Sequence, residues 1–185
     1  CLSNVKQLTL AMEMYASDNG FYVTPNSPVR WYNLLRSYVG NDTKVYACPS
    51  CSYTGRGYAV NLNFSNWTSS TTVTSIVGPS TTAMFVDAAQ CNSSVASNGN
   101  PESWCDFATG ESDWQWTPPT SLTATTAYYA ATGGNETRRP QPRHNRGLNV
   151  GYCDGHATWM GITNFLGPML GGWPYGDVKN SWDNK

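Results

Sequence analysis

Charge is scarce in this chain: its 185 residues include 11 Lys and Arg, 12 Asp and Glu and two His, for a net charge of −1. Such a balance offers no broad electrostatic footprint for nucleic acid and does not describe a disordered polyelectrolyte. Long apolar runs are missing too; none approaches the ~18 residues needed to span a bilayer. There is no initiating Met and no secretory leader, and the sequence opens at Cys1, so a segment removed or left out ahead of it is expected. No nucleotide-binding loop, nucleophile elbow, βαβ alternation or internal repeat is visible. His144 and His156 are the only imidazoles. Glu102, Asp106, Glu111 and Asp113 form the only carboxylate cluster, and in so polar a stretch they read as solvated acids rather than a glycosidase pair. These absences argue against an enzyme and give no cofactor a place to bind.

What is present is uncharged polarity and aromatic mass. Ser and Thr number 38, Asn 17, Tyr 11 and Trp 8, and there are six Cys. That mixture suits a secreted, extracellular domain, where an even set of cysteines usually means disulfides. The length suits one domain, 1–185, with one principal core.

Along the chain, Leu2, Val5, Leu8, Met12 and Tyr15 recur at three and four residues and predict a helix over 1–17. Lys6 and Glu13 fall elsewhere, and Asp18-Asn19-Gly20 supplies a stop. The start carries no strong capping signal, as in the tail of a longer helix. Ser27-Pro28 begins a second, short helix with Trp31, Leu34, Leu35 and Tyr38 on one face and Gly40 at its end. Strands are expected over Gly57–Leu62 and Ala83–Val86, separated by a Ser/Thr-rich loop, Ser69–Ser75, and a Gly78-Pro79 turn. Residues 88–137 show no period and read as a long insertion pinned by a Cys91–Cys105 disulfide. Residues 161–185 read as an irregular aromatic tail.

Asp154-Gly155 is a favoured two-residue turn, and it predicts a hairpin in which Cys153 opposes His156, Tyr152 opposes Ala157 and Val150 opposes Trp159. In that register Val150, Tyr152, Ala157 and Trp159 share the face that packs on the N-terminal helix, and Gly151, Cys153, His156 and Thr158 share the other. The sum is an α+β domain: a helix on an antiparallel β-sheet, with excursions at the sheet's edge.

Several constellations carry two readings. Cys48-x2-Cys51 and Cys153-x2-His156 have zinc-ligand spacing, so the four together make a candidate Cys3His site. In an oxidised compartment the favoured reading is disulfides, with no metal and with His156 an ordinary hydrogen-bonding residue. Six cysteines allow 15 pairings, and beyond Cys91–Cys105 the partners of Cys1, Cys48, Cys51 and Cys153 stay open. Arg138, Arg139, Arg143 and Arg146 with His144 form a basic patch that reads as a solvated loop or as inter-subunit salt bridges, in preference to a nucleic-acid contact. Asn41, Asn63, Asn66, Asn92 and Asn135 head glycosylation sequons, about as many as composition alone produces. Trp104, Trp114, Trp116, Trp173 and Trp182 suit either subunit interfaces or stacking on sugar rings, the basis of the alternative reading as a secreted carbohydrate-binding module.

Three segments together resemble one family. Cys1-Leu-Ser-Asn-Val-Lys-Gln-Leu with Tyr15 and Asp18-Asn-Gly is similar to the stretch just after the membrane helix of bacterial prepilin-type pseudopilins. Cys48-Pro49-Ser50 resembles their central Cys-Pro-Ser element. Arg143-His144-Asn145-Arg146-Gly147 with Asp154-Gly155-His156 and Trp159 resembles their C-terminal signature, in which nine residues separate a His from an Asp-Gly. The matches keep the family's order and occupy about a quarter of the chain. Cys51, Cys91, Cys105, Cys153 and the 88–137 insertion lie outside the pattern. The resemblance implies a pilin-like fold and cleavage by a prepilin peptidase. It also implies export to the bacterial cell surface and assembly with copies of itself into a helical filament, with membrane contact only through an apolar helix that the given sequence lacks.

Overall fold

A computed structural model of the chain describes residues 1–24, 28–51, 55–61, 70–92, 100–111, 115–116, 138–167 and 177–181. The first element, α1 (Leu2–Asn19), buries Val5, Leu8, Thr9, Ala11, Met12 and Ala16 along one side. It ends as the sequence predicts, with Gly20 left-handed at φ 80° and its N–H donating to the Ala16 carbonyl at 2.8 Å. Thr9 sits in the buried stripe because its hydroxyl donates back to the Val5 carbonyl at 2.8 Å, so no polar group is stranded. Leu2 differs from expectation. It is 41% exposed, and Tyr15 is only half-buried.

The second helix is shorter than expected. It forms at α2 (Trp31–Leu34) and continues as turns to Gly40 at φ 64°; Ser27 lies outside the described residues. Trp31 is fully buried against Tyr32, Tyr46 and Phe85. The strands are β1 (Tyr58–Asn61), β2 (Ala83–Cys91), β3 (Ala108–Glu111), β4 (Gln115–Trp116), β5 (Arg138–Pro140), β6 (Gly147–Tyr152) and β7 (Ala157–Gly161). They run β4-β1-β2-β6-β7, with β3 and β5 added to β2. All pairings are antiparallel except the short one of β4 with β1. The protein is therefore an α+β fold with α1 laid on an antiparallel sheet. Among the described residues no helix is long and apolar enough to cross a membrane.

β2 is the spine. It is nine residues long and buried on both faces except at Gln90. The strand expected to stop at Val86 thus runs on to Cys91, and it pairs there with β3 and β5. One face of the sheet carries α1, Trp31, Tyr58 and Phe85; the other carries Val86, Leu148, Val150, Trp104 and the short helix α3 (Ile162–Leu166). Two parts of the sequence reading change as a result. The stretch after 161 begins with α3, whose Ile162, Phe165 and Leu166 are fully buried, so it is not irregular throughout. The part of the insertion that is described is held by the β2–β3 ladder and by Trp104, fully buried in a 3-10 helix at Pro101–Phe107, instead of by a disulfide.

The hairpin forms with a different register. Gly151 pairs with Ala157, Val150 with Thr158 and Asn149 with Trp159, one residue off the expectation. The loop has three residues, Cys153-Asp154-Gly155. The Tyr152 N–H donates to the His156 carbonyl (2.9 Å), and Gly155 alone is left-handed, at φ 86°. A two-residue primed turn needs positive φ at both centres, and Asp154 does not adopt it. Because side chains alternate, the slip turns β6 over. Val150 and Tyr152 point away from α1, and it is Gly151, Cys153 and Ala157 that lie on the α1 side. A β-carbon on Gly151 would stand 2.0 Å from the Thr9 hydroxyl, so glycine there is what lets α1 approach the sheet.

Candidate functional site

Four distant stretches meet at the start of α1. Cys1 caps that helix, and its carbonyl receives the Val5 N–H at 3.0 Å. Cys48 and Cys51 lie in a turn that follows a 3-10 helix at Thr43–Tyr46, closed by the Cys51 N–H donating to the Cys48 carbonyl at 2.9 Å. Asn4 fixes that turn to the helix by donating to the Ala47 carbonyl at 3.0 Å. The third contributor is Asp87 on β2, and the fourth is Arg143-His144, just ahead of β6.

Sulfur and nitrogen converge here. Cys1 Sγ lies 3.0 Å from Cys48 Sγ, and Cys48 Sγ lies 3.5 Å from His144 Nε2. Cys51 hydrogen-bonds Cys48 from the neighbouring side. That contact first, then burial, pushes the Cys48 thiol up to about 12. Gly57 leaves the room required: a β-carbon at that position would stand 2.5 Å from Cys48 Cβ and 2.8 Å from Cys51 Sγ.

Asp87 organises the opposite side. It is fully buried, and Oδ2 accepts from the Asn149 backbone N–H at 2.6 Å and from its side-chain amide at 2.8 Å. Oδ1 faces His144 Nε2 at 3.3 Å and Arg143 at 3.7 Å. Arg143 also donates to the Gly57 carbonyl at 2.8 Å and the Ala88 carbonyl at 3.0 Å. A buried carboxylate is tolerable only with such compensation. The hydrogen bond to Asp87, followed by the contact with Cys48, raises His144 to about 9. His144 is aimed by the turn after it: Asn145 and Arg146 both have positive φ, 52° and 58°, and His144 and Gly147 exchange two backbone hydrogen bonds. This is the two-residue primed turn that the sequence suggests at Asp154-Gly155 instead. It also explains the nine-residue spacing, since β6 spans the distance from this turn to the next.

The other expected sites fall elsewhere. Cys153 is buried on the α1 side beside Glu13, and His156 stacks on Tyr152 with centroids 4.3 Å apart, so the set Cys48, Cys51, Cys153 and His156 is not brought together. Among the described residues the metal-ligand grouping is Cys1, Cys48 and His144. Cys91 and Cys105 do not lie at disulfide distance, and no two of the six cysteines are bonded. Cys91 Sγ instead takes a hydrogen bond from Gln141 at 3.2 Å and faces the Trp104 carbonyl, and burial raises both thiols to about 11.

The basic patch is largely internal. Arg139 is fully buried beside Trp104, Arg143 is tied up as described, and only Arg146 stands out, 3.8 Å from Glu102. Trp104 has no face free for a sugar. The Trp116 side chain, and Trp114, Trp173 and Trp182, lie outside the described residues, as do Asp113, Asn63, Asn66, Asn135 and the Glu111 side chain. Asn41 and Asn92 are exposed, and so are the acids Glu102 and Asp106. Asp154 accepts from the His156 N–H at 3.0 Å, which leaves the second half of the His-x9-Asp-Gly pattern as turn chemistry.

Sequence reasoning missed Cys1, Asp87, Arg143 and His144 as neighbours of Cys48. Two signals pointed to them. Cys1, Cys48 and His144 each belong to one of the three family-like segments, and Asp87 is a lone acid in an otherwise apolar strand. Comparison with family models, with curated proteins and with solved structures gives no match.

Proposed function

We propose that this protein is a structural, non-catalytic subunit of a pilus-like or pseudopilus filament outside the bacterial cell, assembling with copies of itself. The observation that carries the reading is the two-sided character of α1. Its inner stripe is sealed against the sheet, while Leu2, Leu10 and Met14 on the outer side remain 41%, 44% and 54% exposed. Exposed among Ser3, Lys6, Gln7 and Ser17, these side chains give the otherwise polar outer side apolar surface left to cover. The pilin-like arrangement gives that surface one occupant, the helix of a neighbouring subunit at the filament core. The meeting of the three family-like segments around the start of α1 supports the same reading. The carbohydrate-binding alternative loses Trp104 to the core.

The test introduces Leu10→Glu and Met14→Glu together into the native chain. Both side chains face outward, so unfolding free energy of the isolated chain should change by about 0.5 kcal/mol or less. Filament yield by electron microscopy should fall to background. Undiminished filaments from the double variant would remove the basis for the reading.

A further inference from the structure

We propose that Cys1, Cys48, Cys51 and His144 form a structural zinc site that ties the start of α1 to the middle and the last third of the chain. The cluster stands apart from the filament reading and holds whether or not the chain polymerises.

The donors are those that zinc selects: three thiolates and one imidazole. Cys1 Sγ, Cys48 Sγ and a His144 ring nitrogen already lie within 4.8 Å of one another. With Zn–S about 2.3 Å and Zn–N about 2.0 Å, a tetrahedral site has S···S edges of about 3.8 Å and S···N edges of about 3.6 Å. The Cys48–His144 separation of 3.5 Å is such an edge. The Cys1–Cys48 pair, at 3.0 Å, opens by under about 1 Å to become another. Cys51 supplies the fourth ligand by swinging its side chain in, since its sulfur stands outside the 4.8 Å grouping of the other three donors. It shares a Cys-x2-Cys turn with Cys48 and already hydrogen-bonds it, and Gly57 clears the space beside both sulfurs.

The surroundings fit a closed, structural centre. Cys48 is buried and Cys1, Cys51 and His144 are half-buried. Asp87 is itself fixed by Asn149 and Arg143, and its Oδ1 lies 3.3 Å from the same Nε2 that faces Cys48, so an ion taken up on that nitrogen displaces this contact. The link from Cys48 to Cys1 closes 47 residues and the link to His144 closes 96, so one ion constrains most of the chain.

The experiment uses the full chain purified in reductant, with Zn²⁺ as the probe. Elemental analysis after gel filtration should find one zinc per folded chain. Replacement by Co²⁺ should give the intense visible bands of a tetrahedral ion and a strong near-ultraviolet sulfur-to-cobalt band. His144→Ala and Cys51→Ser should each weaken zinc binding by more than about 100-fold, beyond the effect of losing an outer-shell partner. Cys153→Ser and His156→Ala should keep one zinc. The cobalt spectrum of the unaltered chain carries the test even if a variant fails to fold. A folded chain that retains no zinc would overturn the proposal, as would a Cys1–Cys48 disulfide in native material by non-reducing peptide mapping. Zinc retained at full affinity by folded His144→Ala would do the same.

Discussion

At the scale of the residue, Glu13 shows how burial turns a surface acid into a pH-sensitive element. It stands on α1 where the sequence places it off the core stripe, yet the sheet half-covers it and one carboxyl oxygen is buried without a hydrogen bond. Burial is the main reason its pKa rises to about 7; the hydrogen bond with Tyr22 pulls the other way and the Asp154 charge adds to the rise. Between pH 4.5 and about 7 the folded chain therefore holds a proton that the unfolded chain has lost. Stability must fall as pH rises through that window and level off above it. After allowance for solvent screening the loss is about 2 kcal/mol. Glu13→Gln should remove this contribution, so that urea unfolding at pH 5 and pH 8 differs by about 2 kcal/mol less in the variant than in the parent. Equal pH dependence in both proteins would show that Glu13 is solvated in the fold. Neither the burial of Glu13 nor the exposure of Leu2 follows from helical spacing alone, because spacing gives the faces of a helix but not the width of the sheet beneath it.

At the scale of the element, turns decide what patterns cannot. Asn145-Arg146 adopts the primed two-residue turn with an arginine at φ 58°, a conformation that disfavours any side chain with a β-carbon by about 1 kcal/mol or more. Among the described residues the Arg146 side chain has only an exposed contact with Glu102 to offset this. Arg146→Gly should therefore raise unfolding free energy by about 0.5–1 kcal/mol, read as a higher urea midpoint at unchanged slope. A lower midpoint would mean that the arginine contributes through contacts this account does not weigh. The strain stands beside His144, where a fixed ring direction matters.

The same scale marks the limit of sequence reading. The end of α1 at Gly20 and the existence of β6 and β7 were legible, because a left-handed cap and an Asp-Gly between β-rich runs are local signals. The register was not. Whether Asp154-Gly155 closes a two- or three-residue loop depends on one φ angle, and that angle turns every β6 side chain to the opposite face. The extension of β2 beyond Val86 was hidden as well, since Asp87 looks like an end to an apolar run until Asn149, Arg143 and His144 are placed around it.

At the scale of the whole molecule, both faces of the sheet are covered: α1 and α2 on one side, Trp104 and α3 on the other. The second layer was invisible in the sequence because Trp104 and Phe165 sit in stretches with no period. The candidate site was half legible. Cys48 and Cys51 announce themselves by spacing, whereas Cys1 and His144, which join them, lie 47 and 96 residues from Cys48 and are gathered only by the topology. Among the described residues the outer side of α1 keeps Leu10 and Met14 exposed, and on that surface the account of function rests.

The most direct measurement is electron microscopy of native, unprocessed material containing this chain, with image averaging along any filaments found. The account predicts filaments with a regular subunit repeat, α1 of each copy turned inward so that Leu10 and Met14 contact neighbouring helices. Dispersed single subunits, or filaments that present α1 to solvent, would contradict it.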